Sequence, residues 1–166
     1  MKQIIQQLNR SKRILVASHV DPDGDAVGSL VAMGLALGYL NKRVTIYNES
    51  PIPAVYRFLP GVQQIVNHLK PDAVFDTAII LDSGDLERIG KIAPQIATTP
   101  VIINIDHHIT NSLFGTMQFI DTEACATTEI LYRIIQTLGV PITGDMAIPK
   151  ARQPTAMRQR PTPSTC

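Results

Sequence analysis

The sequence predicts an α/β domain, a parallel β-sheet flanked by helices, and three observations lead there. Short aliphatic runs rich in β-branched residues recur at 14–17, 44–48, 77–81 and 101–105. A helix-like segment separates the first two runs, which begin about thirty residues apart, the length of a βαβ unit with its right-handed crossover. Three of the runs end in clusters of Asp and His. In an open α/β sheet those ends converge on one edge, where ligands bind.

Along the chain, Ile4, Ile5 and Leu8 recur at helical spacing and Ser11 ends the segment, so a short amphipathic helix leads into the first strand. That strand, 14–17, runs directly into His19-Val20-Asp21-Pro22-Asp23-Gly24-Asp25. Beyond it, Val27, Leu30, Val31, Met33, Gly34, Leu35, Leu37 and Leu40 are apolar nearly all round. Such a helix belongs between the sheet and a second layer, and Asn41-Lys42 closes it. The second strand, 44–48, follows, and then Pro51, Pro53, Pro60 and Gly61 mark an irregular stretch. The run 77–81 is continuously apolar and so interior, ending at Asp82-Ser83-Gly84-Asp85. The run 101–105 ends at Asp106-His107-His108. A last helix carries Ile130, Leu131, Ile134, Ile135 and Leu138, with Thr122 or Thr127 as its expected N-cap and Gly139-Val140-Pro141 as its stop.

Composition bounds what this domain does. At 166 residues, 45% hydrophobic and 17% charged, the chain is long enough for one globular domain with a real core. Four of the 15 basic residues, Lys150, Arg152, Arg158 and Arg160, lie in the last eighteen, leaving 11 against 14 acidic ones in residues 1–148, a net of −3. A slightly acidic body argues against an extended duplex-binding surface. Cys125 and Cys166 make no disulfide framework, which fits a reducing compartment. Residues 1–13 have no unbroken apolar run, hence neither a signal peptide nor a membrane span is expected, and the expected location is cytoplasmic.

The stretch 19–25 packs one imidazole and three carboxylates into seven residues. Such crowding of like charge is costly unless a cation sits among it. With Asp82 and Asp106-His107-His108 at neighbouring strand ends, the donors are imidazole nitrogen and carboxylate oxygen with no thiolate. That set suits Mn²⁺ first, with Mg²⁺ and then Zn²⁺, Fe²⁺ or Co²⁺ as alternatives. Six or so donors exceed what one ion takes, and two divalent ions about 3.5 to 4 Å apart are an arrangement for hydrolysing phosphoesters.

Taken alone, each piece has an ordinary explanation. Asp21-Pro22-Asp23-Gly24 reads as a turn with Asp23 or Asp25 capping a helix, Asp82 as a strand-end residue, and His107-His108 as a structural pair. A calcium loop starting at Asp21 fails, because Ala26 and Ala32 stand where Gly and a distal Glu are needed. Joint occurrence at three strand ends favours a metal site. His68 falls outside the set, and Thr127 and Thr128 read as helix-start residues. Arg88, six residues after Asp82, is a candidate phosphate contact, with a surface ion pair as the alternative.

These motifs resemble the DHH phosphoesterases. His19-x-x-x-Asp23-x-Asp25, Asp82 at a strand end and the Asp106-His107-His108 triplet occur in that family's order over residues 1 to 147. The full His-Val-Asp-Pro-Asp-Gly-Asp-Ala-Val-Gly-Ser run and Ala126-Thr127-Thr128-Glu129 are most similar to its branch of bifunctional oligoribonucleases and adenosine 3′,5′-bisphosphate phosphatases. The resemblance implies that His19 and Asp23 hold one metal, Asp25 and His107 a second, and that Asp82 bridges them. It further implies that Asp106 orients His107 and that His108 reaches the substrate phosphate, so that Asp82, Asp106, His107 and His108 form the catalytic group, with His108 and Arg88 toward substrate. The implied reaction is attack of water on phosphorus without a covalent enzyme intermediate, on short oligonucleotides cut to mononucleotides and on small 3′-phosphorylated nucleotides. A homodimer is compatible with it. Alternatives are a manganese pyrophosphatase, a cyclic-dinucleotide phosphodiesterase, or an inactive remnant that binds metal or nucleotide.

The resemblance stops at Ala147. The family pattern would continue to a further metal-ligating Asp and a second, Gly-rich domain, whereas residues 148–166 carry four prolines and no hydrophobic periodicity. The expected division is therefore an incomplete metal-binding domain over 1–147 and a disordered, non-homologous tail over 148–166, as a truncated or frame-shifted product would have. Weak or absent activity is expected of such a chain.

Overall fold

The computed structural model describes residues 1–142. Its elements are α1 (Lys2–Arg10), β1 (Arg13–Ser18), α2 (Gly24–Tyr39), β2 (Arg43–Tyr47), β3 (Ile65–Val66), β4 (Thr77–Leu81), α3 (Ala93–Ile96), β5 (Val101–Asp106), β6 (Met117–Ile120) and α4 (Thr127–Thr137). The strands form one parallel six-stranded sheet in the order β3-β2-β1-β4-β5-β6. This is the α/β architecture the sequence predicts.

Period-two alternation sorts the strand side chains between the two faces. Ile14, Val16, Ile46, Ile79, Leu81, Ile103 and Ile105 pack with α1, α2 and α4 in one buried cluster. Leu15, Ala17, Tyr47, Ala78, Ile80 and Ile102 face the other side, covered by α3, the short turn Leu86–Ile89 and the loop residues Leu69, Phe75 and Phe114. All five residues of β4 are buried, as its unbroken apolar run requires. Apolar nearly all round, α2 lies against β1, β2 and α4, with nine of its sixteen residues buried.

Chemistry at the helix ends accounts for their limits. Ser11 ends α1 and its hydroxyl shares a 2.7 Å hydrogen bond with Thr77 of β4, anchoring the helix to the sheet. After α2 the chain turns at Asn41, whose φ is +57°. Gly139, at φ +73°, ends α4, and the N–H groups of Gly139 and Val140 donate back to Gln136 and Ile135. Expectation and structure differ at the start of α4. Thr122 is exposed and outside the helix, Thr127 is the first helical residue, and the N-cap position is Ala126, which has no side chain to cap with.

No helix among the described residues is long and apolar enough to cross a membrane. The expected tail, 148–166, and the boundary at Ala147 lie outside the described residues.

Candidate metal centre

Strand order brings the polar strand ends together. β4 lies between β1 and β5, with Ser18, Leu81 and Ile105 in one register row, so His19, Asp82 and Asp106 emerge side by side at the carboxyl edge. The chain leaves β1 for β2 on one side and returns for β4 on the other, and this switch point is where open α/β sheets hold ligands. Asp82 leaves its strand at φ +53°, the left-handed region, while its N–H donates to the Ile105 carbonyl at 3.0 Å. For a residue with a Cβ that conformation costs about 1 kcal/mol, and Asp is among those that tolerate it. His19 is held by the Asn48 amide, which donates to the His19 carbonyl at 2.8 Å.

Two imidazoles share one presentation. Nδ1 of His19 lies 2.7 Å from the Val20 carbonyl, and Nδ1 of His107 lies 3.3 Å from the Ala124 carbonyl. A ring nitrogen beside a carbonyl carries the proton, which leaves the Nε2 lone pair as the donor, the arrangement usual in metal-ligating histidines. Both Nε2 atoms point at Asp82: His19 faces Oδ2 at 3.8 Å and His107 faces Oδ1 at 3.7 Å. His107 Nε2 also lies 3.8 Å from Asp25 Oδ2. Two donors each about 2.1 Å from one ion lie no more than about 4.2 Å apart, so these separations fit a cation between each pair. Donor atoms of His19, Asp23 and Asp82 come within 4.8 Å of one another, as do those of Asp82, His107 and His108, and Asp82 belongs to both sets. The residues thus fit two cation positions that share one carboxylate.

Asp23 and Asp25 combine their ordinary helix chemistry with this placement. Asp23 is the N-cap of α2, its Oδ1 accepting from the N–H groups of Asp25 and Ala26 at 3.0 Å each, which leaves Oδ2 free of those bonds. Asp25 turns toward α4 instead, accepting from the N–H groups of Thr127 at 2.7 Å and Thr128 at 3.0 Å.

Fully buried Asp106 meets His107 through the backbone: Oδ1 accepts the His107 N–H at 2.8 Å. The ring it holds is that of His108, whose Nδ1 lies 2.7 Å from the same oxygen. This makes His108 Nδ1 a poor candidate donor to an ion, although it is 3.7 Å from Asp82, and leaves Nε2 of a 41% exposed side chain outside that bond. Asp106 Oδ2 accepts from the Asn111 amide, which also bonds Asn104. Arg88 is exposed on the turn after Asp85, and among the described residues it forms no ion pair. Its carbonyl accepts the Val20 N–H at 2.8 Å, which ties this turn to the His19 loop.

Burial acts to raise the Asp82 pKa, but the His19 imidazole, the Thr127 hydroxyl and the His108 ring outweigh it, and the carboxyl sits below its ordinary range. Reciprocally, Asp82 raises the His19 imidazole above 6.5, against burial and the nearby Arg88. Sequence reasoning passed over Asn104, Asn111 and the Thr127 hydroxyl, 3.0 Å from Asp82 Oδ1. Nothing in a run such as Ala-Thr-Thr-Glu separates a threonine that starts a helix from one that also holds a carboxylate.

At adjoining strand ends of a parallel α/β sheet, His and Asp are thus grouped as a candidate site for divalent cations. The chain belongs to the DHH family, matching its N-terminal domain over residues 13–166. Phosphoesterases of this family are metal-dependent. Among curated relatives, the bifunctional oligoribonuclease and PAP phosphatase NrnA of Thermus thermophilus is 37% identical over 139 residues, 82% of this chain and 40% of that protein. The Bacillus subtilis protein of the same name is 24% identical over 80% of this chain and 41% of its own length. A crystal structure of an exopolyphosphatase-related protein from Bacteroides fragilis superposes with a TM-score of 0.77 at 26% identity, covering 84% of this chain and 43% of the other. The chain spans about two fifths of the length of the relatives it matches.

Proposed function

We propose that this chain carries the metal-binding residues of a phosphoesterase acting in the cytoplasm on short oligoribonucleotides, releasing mononucleotides, and on 3′,5′-bisphosphate nucleotides, releasing the 3′-phosphate. The carrying observation is the convergence on Asp82 of His19 with Asp23 on one side and of His107, itself 3.8 Å from Asp25, on the other, in a chain whose relatives bear oligoribonuclease and phosphatase names. His19 and Asp23 would hold one ion, Asp25 and His107 the other, with Asp82 common to both. Such ions, Mn²⁺ first, supply Lewis-acid stabilisation of phosphoryl oxygens and an activated water. The remaining steps belong to side chains. Asp82 keeps both Nε2 atoms turned inward, and Asp106 fixes the His108 ring so that Nε2 meets a substrate phosphate. Arg88, on the turn tied to the His19 loop, would contact a substrate phosphate. A homodimer belongs to the same proposal.

For a polypeptide of these 166 residues, whose match covers 40% of the Thermus relative, turnover slower by about 100-fold or more than that relative's is expected. A second reading, hydrolysis of a phosphoanhydride such as pyrophosphate, draws support from the exopolyphosphatase-related fold. Assays with Mn²⁺ on pentaribonucleotide, adenosine 3′,5′-bisphosphate, pyrophosphate and a cyclic dinucleotide, run on the chain and on the Thermus relative, separate these. Expected is slow but measurable release from the first two, abolished by His19→Ala. Preference for pyrophosphate or the cyclic dinucleotide would replace the reading, and no turnover with no Mn²⁺ uptake would leave an inactive remnant.

A further inference from the structure

The first turn of α4 and Ala124 just before it touch three of the five expected metal ligands. Thr127 donates its backbone N–H to Asp25 Oδ2 at 2.7 Å and its hydroxyl to Asp82 Oδ1 at 3.0 Å, and the carbonyl three residues earlier, on Ala124, holds His107 Nδ1 at 3.3 Å. We infer that Thr127 is a positioning residue of the metal centre, its hydroxyl setting the plane of the Asp82 carboxylate and its backbone joining the start of α4 to Asp25. This rests on the metal-dependent reading above.

Rotation of a carboxylate about its terminal torsion is soft, so burial alone does not fix which way each oxygen points. In Asp82 that torsion decides which oxygen faces His19 and which faces His107. Among the described residues the Thr127 hydroxyl is the group within hydrogen-bonding distance of the Asp82 carboxylate, since the imidazoles stand 3.7 to 3.8 Å away. It donates to Oδ1, the oxygen that also lies 3.7 Å from His107 Nε2. Thr127 is fully buried, so water cannot replace this donor, and its β-branch stiffens the side chain.

The helix end itself points the same way. An ordinary start satisfies its first N–H groups with a capping side chain just ahead of it, and here that position is Ala126. The cap comes instead from Asp25, about a hundred residues earlier in the chain and an expected ligand. Thr128 packs its methyl against Gly28, where an added Cβ would come within 3.3 Å, so the α4 start has little room to slide along α2. The geometry of the centre therefore depends on where α4 begins.

Calorimetric Mn²⁺ titration of the whole chain tests this, with the electron paramagnetic resonance spectrum of the bound ion as a second signature. Thr127→Val, close in shape but without the hydroxyl, should weaken Mn²⁺ about 10- to 100-fold and alter the spectrum. Thr127→Ser should recover wild-type affinity within about twofold. Wild-type affinity in Thr127→Val, or a Thr127→Ser as weak as it, overturns the inference while leaving the metal reading standing. Amide exchange on the wild type alone covers the case in which Thr127→Val does not fold: Mn²⁺ should slow the Thr127 and Thr128 amides more than the rest of α4, and an unchanged rate there overturns the coupling. A wild type that takes up no Mn²⁺ removes the metal reading and this inference with it.

Discussion

At Asp106 three donors converge on one fully buried carboxylate: the His107 N–H, the His108 ring and the Asn111 amide. In Asp106→Ala, His108, partly exposed, can turn to water and the Asn111 amide keeps Asn104 and the Ser83 carbonyl, but the His107 N–H loses its partner, so a loss of about 1–3 kcal/mol is expected in urea denaturation. A change under about 0.5 kcal/mol would contradict this network. The His19–Asp82 pair sets a pH window for the metal-free protein. His19 has its pKa raised on folding, so its contribution is fully present below its ordinary 6.5 and fades as pH rises through the folded value. Asp82 has its pKa lowered, so its contribution is present above its ordinary 3.8 and fades as pH falls through the folded value. Metal-free melting temperature should therefore plateau between those ordinary values and decline on both sides, and His19→Gln should abolish the alkaline decline. His19, Asp82 and the His107-His108 pair were legible in the sequence because donors at strand ends stand out against aliphatic runs. Thr127 and Asn111 were not, because supporting hydrogen bonds are made across the fold by residues that are ordinary in their own neighbourhoods.

Elements were legible in proportion to their length. The four interior strands and the three longer helices announce themselves by period or by unbroken apolarity. β3 has two residues and β6 reads Met-Gln-Phe-Ile on a half-buried edge, too short or too weakly patterned to separate from loop. The turn at Leu86–Ile89 and α3 are single turns placed by tertiary contact. The cap of α4 was misread because Asp25 provides it from another part of the chain, which no local rule detects. Within α2, Gly34 is an interior helical glycine whose replacement by Ala would ordinarily gain about 1 kcal/mol. Here an added Cβ would sit 2.7 Å from Cγ1 of Ile46, itself 4% exposed in the core between α2 and β2. Overpacking of this kind costs about 1–3 kcal/mol, so the clash wins and Gly34→Ala should lower stability. Thermal unfolding at or above the wild-type midpoint would show that Ile46 moves aside freely.

At the scale of the molecule, the sheet does one thing for function: it carries donors far apart in sequence to one edge, in the row formed by His19, Asp82 and Asp106. Helix α2 brings Asp23 and Asp25 in from above that edge, and α4 closes the group from the side. The chain spans about two fifths of its relatives' length, so metal uptake is the property these residues can be asked for on their own. Mn²⁺ titration of the 166-residue chain, with Asp82→Asn in parallel, is the most direct measurement. The asparagine keeps the shape and can still accept from Thr127, but it loses the charge that faces both imidazoles. Two divalent ions per wild-type chain are expected, with affinity at both positions reduced more than about 100-fold in Asp82→Asn. Uptake by the variant equal to wild type, or none by either, would contradict a centre built around a shared Asp82.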